Sequence, residues 1–229
     1  MRDLSRDKYT VPLIMRYKLL WLGIFAITMG YFEATLVEYL RELYYPEGFA
    51  FPLKDVPIRI GVIEIGREAM SLVMILAVSA MVGRVFIDRF AAYCFCFGVW
   101  DITYYLFLKL FEGWPPSLAT TDILFLIPAP WVGPVWAPVA VSIALIWAAV
   151  NIWDDLDKGW IIKPTRMEWA LEILSGLIII SSFLVAAPAA ISKTTLPAFP
   201  YALFLVGMIF GILIFLRSQR HANLIENQG

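Results

Sequence analysis

Histidine occurs once in the 229 residues, at His221 in a polar tail, so zinc, haem or di-iron sites built on imidazole are excluded. Cysteine occurs twice, as Cys94 and Cys96 inside one apolar run. A Cys-x-Cys pair on a helix points its thiols in different directions, which argues for two small buried side chains rather than a disulfide or metal pair. No P-loop and no dinucleotide fingerprint are present. With 18 basic and 19 acidic residues the formal net charge is −1, so there is no basic footprint and nucleic acid is not expected as a partner. A cleavable signal peptide is not expected either. The first eighteen residues are polar and basic, but the apolar run after them is long, contains Glu33 and has no small-residue cleavage site, so it reads as a retained span.

Apolar sequence is what the chain has in excess. Hydrophobic residues make up 61% of it and the mean hydropathy is +0.76, against about 45–50% apolar in soluble chains. Runs of about 20 apolar residues are long enough to cross a bilayer as helices. Six are read: Leu19 to Leu40, Ile58 to Val82, Phe90 to Leu110, Val135 to Trp153, Met167 to Ala187 and Tyr201 to Leu216. The expected fold class is therefore all-α, a polytopic membrane bundle forming one domain over residues 1–229. Residues 1–18 and 217–229 are read as cytoplasmic flanks, and the lipid bilayer is the first partner.

Lys and Arg set the orientation. With the N-terminus inside, the inner segments hold Arg2, Arg6, Lys8, Arg16, Lys18, Arg84, Arg89, Lys158, Lys163, Arg166, Arg217 and Arg220. The other side holds Arg41, Lys54, Arg59, Lys109 and Lys193. Twelve against five predicts both termini in the cytoplasm of a plasma (inner) membrane protein. Between spans three and four, Thr121 or Asp122 is expected to cap a short helix, followed by the Pro128–Pro138 segment with its four prolines. Two readings remain open: a half-helix dipping in from the outer face, or a loop lying flat on that surface. Glu64-x-x-x-Glu68-x-x-Ser71 and Glu168-x-x-x-Glu172-x-x-Ser175 also match, which suggests an inverted repeat of three spans.

Against this apolar background Glu33, Glu64, Arg67, Glu68 and Asp101 stand out. An ionisable side chain at the bilayer centre costs roughly 2.5–3.5 kcal/mol on insertion scales, so such residues face a polar interior. At 1.5 Å per residue, Glu33, Glu64, Glu68 and Asp101 all fall roughly 9–15 Å below the outer helix ends. Three helices thus bring carboxylates to one layer, where Tyr104 and Tyr105 follow Asp101 with hydroxyls. Four acids against one buried arginine leave an excess of negative charge that a low-dielectric interior does not hold unaided. Either carboxylates are protonated, or a cation sits among them, or Arg41 and Arg59 reach inward. Glu38, Arg41 and Glu42 otherwise read as an interfacial salt-bridge group. A metal held there would be a hard, carboxylate-bound cation such as Mg²⁺, Ca²⁺ or Mn²⁺.

The leading expectation is transport of protons or a small cationic solute through this pocket, with Arg67 tuning the acids. A transmembrane subunit of a larger complex, or a homo-oligomer, is the alternative partner-bound reading. A membrane enzyme acting on a lipid, quinone or isoprenoid substrate is the third.

Overall fold

The computed structural model describes residues 11–220 and 223–224 of the chain. Arg2, Arg6, Lys8 and His221, on which part of the sequence reading rests, lie outside them. Helices α1 (Val11–Tyr44), α2 (Ile58–Val82) and α3 (Phe86–Glu112) come first. A hairpin of β1 (Thr121–Phe125) and β2 (Trp131–Pro134) leads into α4 (Trp136–Asp157). After the two-residue strand β3 (Trp160–Ile161) come α5 (Arg166–Leu184), the short α6 (Ala187–Ile191) and α7 (Tyr201–Gln219), with β4 (Asn223–Leu224) pairing back to β3. Six of these segments are long and apolar enough to cross a membrane, with α5 and α6 together making the fifth. The protein is thus a multi-pass helical bundle, as its hydropathy predicts, and a bilayer is its natural surrounding.

Local chemistry fixes where the helices begin and end. Pro57 and Pro200 immediately precede α2 and α7, where a missing N–H costs nothing. At the start of α5, Thr165 Oγ1 accepts from the Glu168 N–H (3.2 Å) while the Glu168 carboxylate accepts from the Thr165 N–H (2.8 Å). This capping box makes Glu168 a helix-start residue. Helix α3 ends at Gly113, whose φ of 72° is a left-handed conformation that glycine adopts without steric cost.

In lipid, helices associate through close packing and hydrogen bonds rather than water exclusion. Leu22, Ala26 and Met29 of α1 meet Ala91, Ala92, Phe95 and Cys96 of α3, with Ala149, Ile152 and Trp153 of α4 closing the core. Asp88 binds these three helices at one end, accepting from Lys18 Nζ (2.7 Å), Trp153 Nε1 (2.9 Å) and the Arg84 N–H (2.9 Å). Helix α7 packs on α5, where Ser175 Oγ donates to the Gly207 carbonyl (2.9 Å). Any Cβ at Gly207 would sit 2.7 Å from Ile179. The packing does not follow the suggested repeat: α1 lies along α3, whereas its counterpart α4 barely touches α7.

The segment before α4 differs from expectation. Thr121 and Asp122 do not cap a half-helix, and the backbone is not unpaired. Asp122 pairs with Gly133 and Ile123 with Val132 in an antiparallel ladder. The prolines explain why this works. Pro128 and Pro130 fall in the turn and Pro134 at the ladder's end, positions that need no donor. Pro138 sits in the first turn of α4. Gly133 lets the hairpin close onto α5, since a Cβ there would lie 2.8 Å from the Phe183 ring.

Candidate functional site

All seven residues singled out in the sequence line one cavity of about 450 Å³ at the hairpin end of the bundle. Its wall comes from α1, α2, α3 and β1, and the rim from the 53–56 segment with Lys193. Each acid enters because its helix turns one face inward. Glu64, Arg67, Glu68 and Ser71 follow the i, i+3, i+4, i+7 spacing on α2, and Glu33 faces them from α1.

Two arginines organise the polar groups. Arg67 Nε donates to Glu64 Oε2 at 2.8 Å, and its guanidinium forms a salt bridge with Glu33. Glu33 in turn accepts from Ser71 Oγ at 3.1 Å, so α1 and α2 are joined by a closed set of charges. Glu68, next to Arg67 in sequence, turns elsewhere: its Oε2 accepts from the Leu126 N–H at 2.8 Å and ties α2 to the hairpin. Asp101 Oδ2 accepts from Ser142 Oγ of α4 at 2.8 Å. The four acids therefore share a cavity but not a partner. Only Glu33 and Glu64 bind Arg67 directly.

The second arginine decides between two readings of Arg41 and takes the inward one, while Arg59 does not line the cavity. Arg41 is not part of an interfacial group with Glu38 and Glu42; it is 6% exposed and points into the cavity. It forms a salt bridge with Glu112 and reaches Asp122 Oδ1 at 3.4 Å. The guanidinium lies 3.9 Å from the Trp114 ring centroid and 4.7 Å from that of Phe49, two rings set at 89° to each other, and these cation–π contacts offset lost hydration. Tyr105 donates to Asp122 Oδ2 at 3.4 Å, with Tyr104 packed edge-on against it at 5.0 Å.

Asp122 and Glu112 are the residues the sequence reading missed. Asp122 is 1% exposed, and burial pushes its carboxyl up to about 7 against the pull of Arg41, the Ile123 N–H and Tyr105. Thr-Asp-Ile-Leu-Phe does not alternate polar with apolar, so no local pattern marks Asp122 as the buried member of β1; its burial comes from how the hairpin packs.

Six carboxylates (Glu33, Glu64, Glu68, Asp101, Glu112 and Asp122) thus stand against two guanidiniums. Among the described residues no three acids, cysteines or histidines come together as metal ligands. The acids are spread along the wall, each held by a different neighbour, which suits a proton or a diffuse cation better than a compact hard ion. No protein-family model matches the chain, and neither does any curated protein or solved structure.

Proposed function

We propose that the protein moves protons or a small cationic solute across the membrane, with the hairpin-end cavity as its binding site. The carrying observation is the excess of acid over base in one cavity: Glu33, Glu64, Glu68, Asp101 and Asp122 line its wall against Arg41 and Arg67, while Asp55, Lys54 and Lys193 stand at the rim. Buried anions without equal positive charge take up protons or cations. Glu68 and Asp101 are the carriers in this reading, because each accepts a neutral donor and neither is committed to an arginine by hydrogen bond. Arg67 and Arg41 anchor the remaining acids, and Tyr104 and Tyr105 offer hydroxyls between them. With both termini cytoplasmic, the cavity faces outward.

Purified protein in liposomes containing a pH-sensitive dye tests this. The wild type should dissipate an imposed proton gradient faster than protein-free liposomes. Glu68→Gln and Asp101→Asn should each slow that flux at least about tenfold, equivalent to about 1.4 kcal/mol. Equal flux in both variants, or none above the protein-free control, overturns the reading.

A further inference from the structure

A second cavity, of about 490 Å³, lies between the α3–α4 pair and the α5–α7 pair. Aromatic rings close the cavity's edges: Phe90 of α3 with Trp169 of α5 (5.1 Å), Trp147 of α4 with Phe215 of α7 (5.3 Å), and Trp131 of β2 with Phe183 of α5 (6.0 Å). Phe97 and Phe125 add further ring surface to the wall.

Its ionisable lining is one-sided. Asp101, Glu172, Tyr93 and Cys94 face it, and no Lys, Arg or His does among the described residues. Asp101 accepts one hydroxyl, from Ser142, whereas Glu172 has no hydrogen bond or ion pair among the described residues. Glu172 lies six residues into the span from Arg166, roughly 9 Å deep. A carboxylate left unpaired at that depth, facing rings and hydrocarbon, is costly unless it takes up a proton or a cation joins it. The ring faces around it carry the quadrupole that attracts such a cation.

We propose that this cavity binds a hydrophobic organic cation: a quaternary ammonium or phosphonium, or a protonated amine on an apolar body. Glu172 and Asp101 are the counter-charges, and the tryptophan and phenylalanine rings form the cage. The volume falls within the range of about 300–1,000 Å³ that holds drug-sized ligands. Trp147 and Ile173, which are 40% and 62% exposed, mark an opening at the side of the bundle. A ligand dissolved in the bilayer enters there. A membrane lipid would bring an acyl chain but no positive charge buried beside Glu172, which is why the acids decide between occupants. Asp101, Leu124 and Phe125 belong to both cavities. A proton on Asp101 and a cation beside it therefore exclude one another, which couples this site to the acid-lined one. The proposal rests on the transport reading only in naming that transporter's substrate class.

Tetraphenylphosphonium is the probe, measured by equilibrium dialysis on detergent-purified full-length protein, with tryptophan quenching as a second readout. The wild type should bind it saturably, and neutral triphenylphosphine oxide at least about tenfold more weakly. Glu172→Gln should lose about tenfold in affinity, while Glu172→Asp, which keeps the charge, should retain most of it. Acidification of the wild type should weaken binding of this permanently charged probe, an outcome that needs no variant to fold. Equal binding of the neutral probe, or unchanged affinity in both Glu172→Gln and Asp101→Asn, makes the cavity a site for a lipid chain and overturns the proposal. Absence of saturable binding overturns it as well. Proton flux in liposomes without phosphonium binding removes this inference and leaves the transport reading; binding without flux does the reverse.

Discussion

At the scale of single residues, the two buried arginines are bound differently and should respond differently to change. Arg67 holds Glu33 and Glu64, which come from two helices, and among the described residues no aromatic ring lies over its guanidinium. Arg67→Leu leaves both carboxylates without a counter-charge, with only the Ser71 hydroxyl still on Glu33. Removing one member of a buried pair typically costs about 3–5 kcal/mol. Thermal unfolding in detergent should therefore show a clear drop in midpoint, with poor expression. Arg67→Lys should fall between the two, because one ammonium cannot serve Glu33 and Glu64 as the planar fork does. A Leu variant as stable as the wild type would mean that these acids are protonated in the folded protein, and that Arg67 holds no charge it needs to balance. Arg41 has the Trp114 and Phe49 rings within cation–π reach, so part of its stabilisation would survive loss of an acid partner.

At the scale of elements, the hairpin is the piece that converts separate helices into an enclosed site. It supplies Asp122 to Arg41, the Leu126 N–H to Glu68, and Leu124 and Phe125 to the wall between the cavities. Only one of these ties the hairpin to α2 through a hydrogen bond with a charged acceptor. Glu68→Ala leaves the Leu126 amide without its acceptor, a loss of about 1–3 kcal/mol for a buried donor. Amide exchange measured by mass spectrometry should accelerate across residues 121–134 while helices α3 and α4 stay protected. Glu68→Gln retains a carbonyl acceptor and should leave hairpin exchange near the wild-type rate, so hairpin docking and loss of charge are separable at one position. Uniform acceleration across the whole chain in Glu68→Ala would show that the bond supports the entire bundle rather than this element.

At the scale of the whole molecule, the acid-lined cavity opens at the end that carries the 45–57, 113–135 and 192–200 connections. The basic-residue asymmetry predicts that this end faces outward. Single cysteines placed at residues 50 and 115 should react with a membrane-impermeant maleimide in intact cells. A cysteine at residue 160 should react only after the membrane is opened. Labelling of residue 160 from outside would reverse the orientation and turn the cavity toward the cytoplasm.

Sequence alone determined the six spans, because a bilayer admits only segments that satisfy their own backbone, and about 20 apolar residues suffice to mark one. It also marked Glu33, Glu64, Arg67, Glu68 and Asp101, because charge in such a span stands out against hydrocarbon whatever its partner. Contacts between distant segments were beyond its reach. Asp122 read as a helix cap, and Arg41 could be placed either in an interfacial group or reaching inward. Only the folding of the hairpin onto α1 and α3 put Asp122 beside Arg41 and Tyr105, 81 and 17 residues away in sequence. Glu172 matched a repeat on paper, yet its surroundings come from α3, α4 and α7 together. Hydropathy is a property of each segment by itself, whereas the partner of a buried charge depends on which segments meet, and only the tertiary structure decided that.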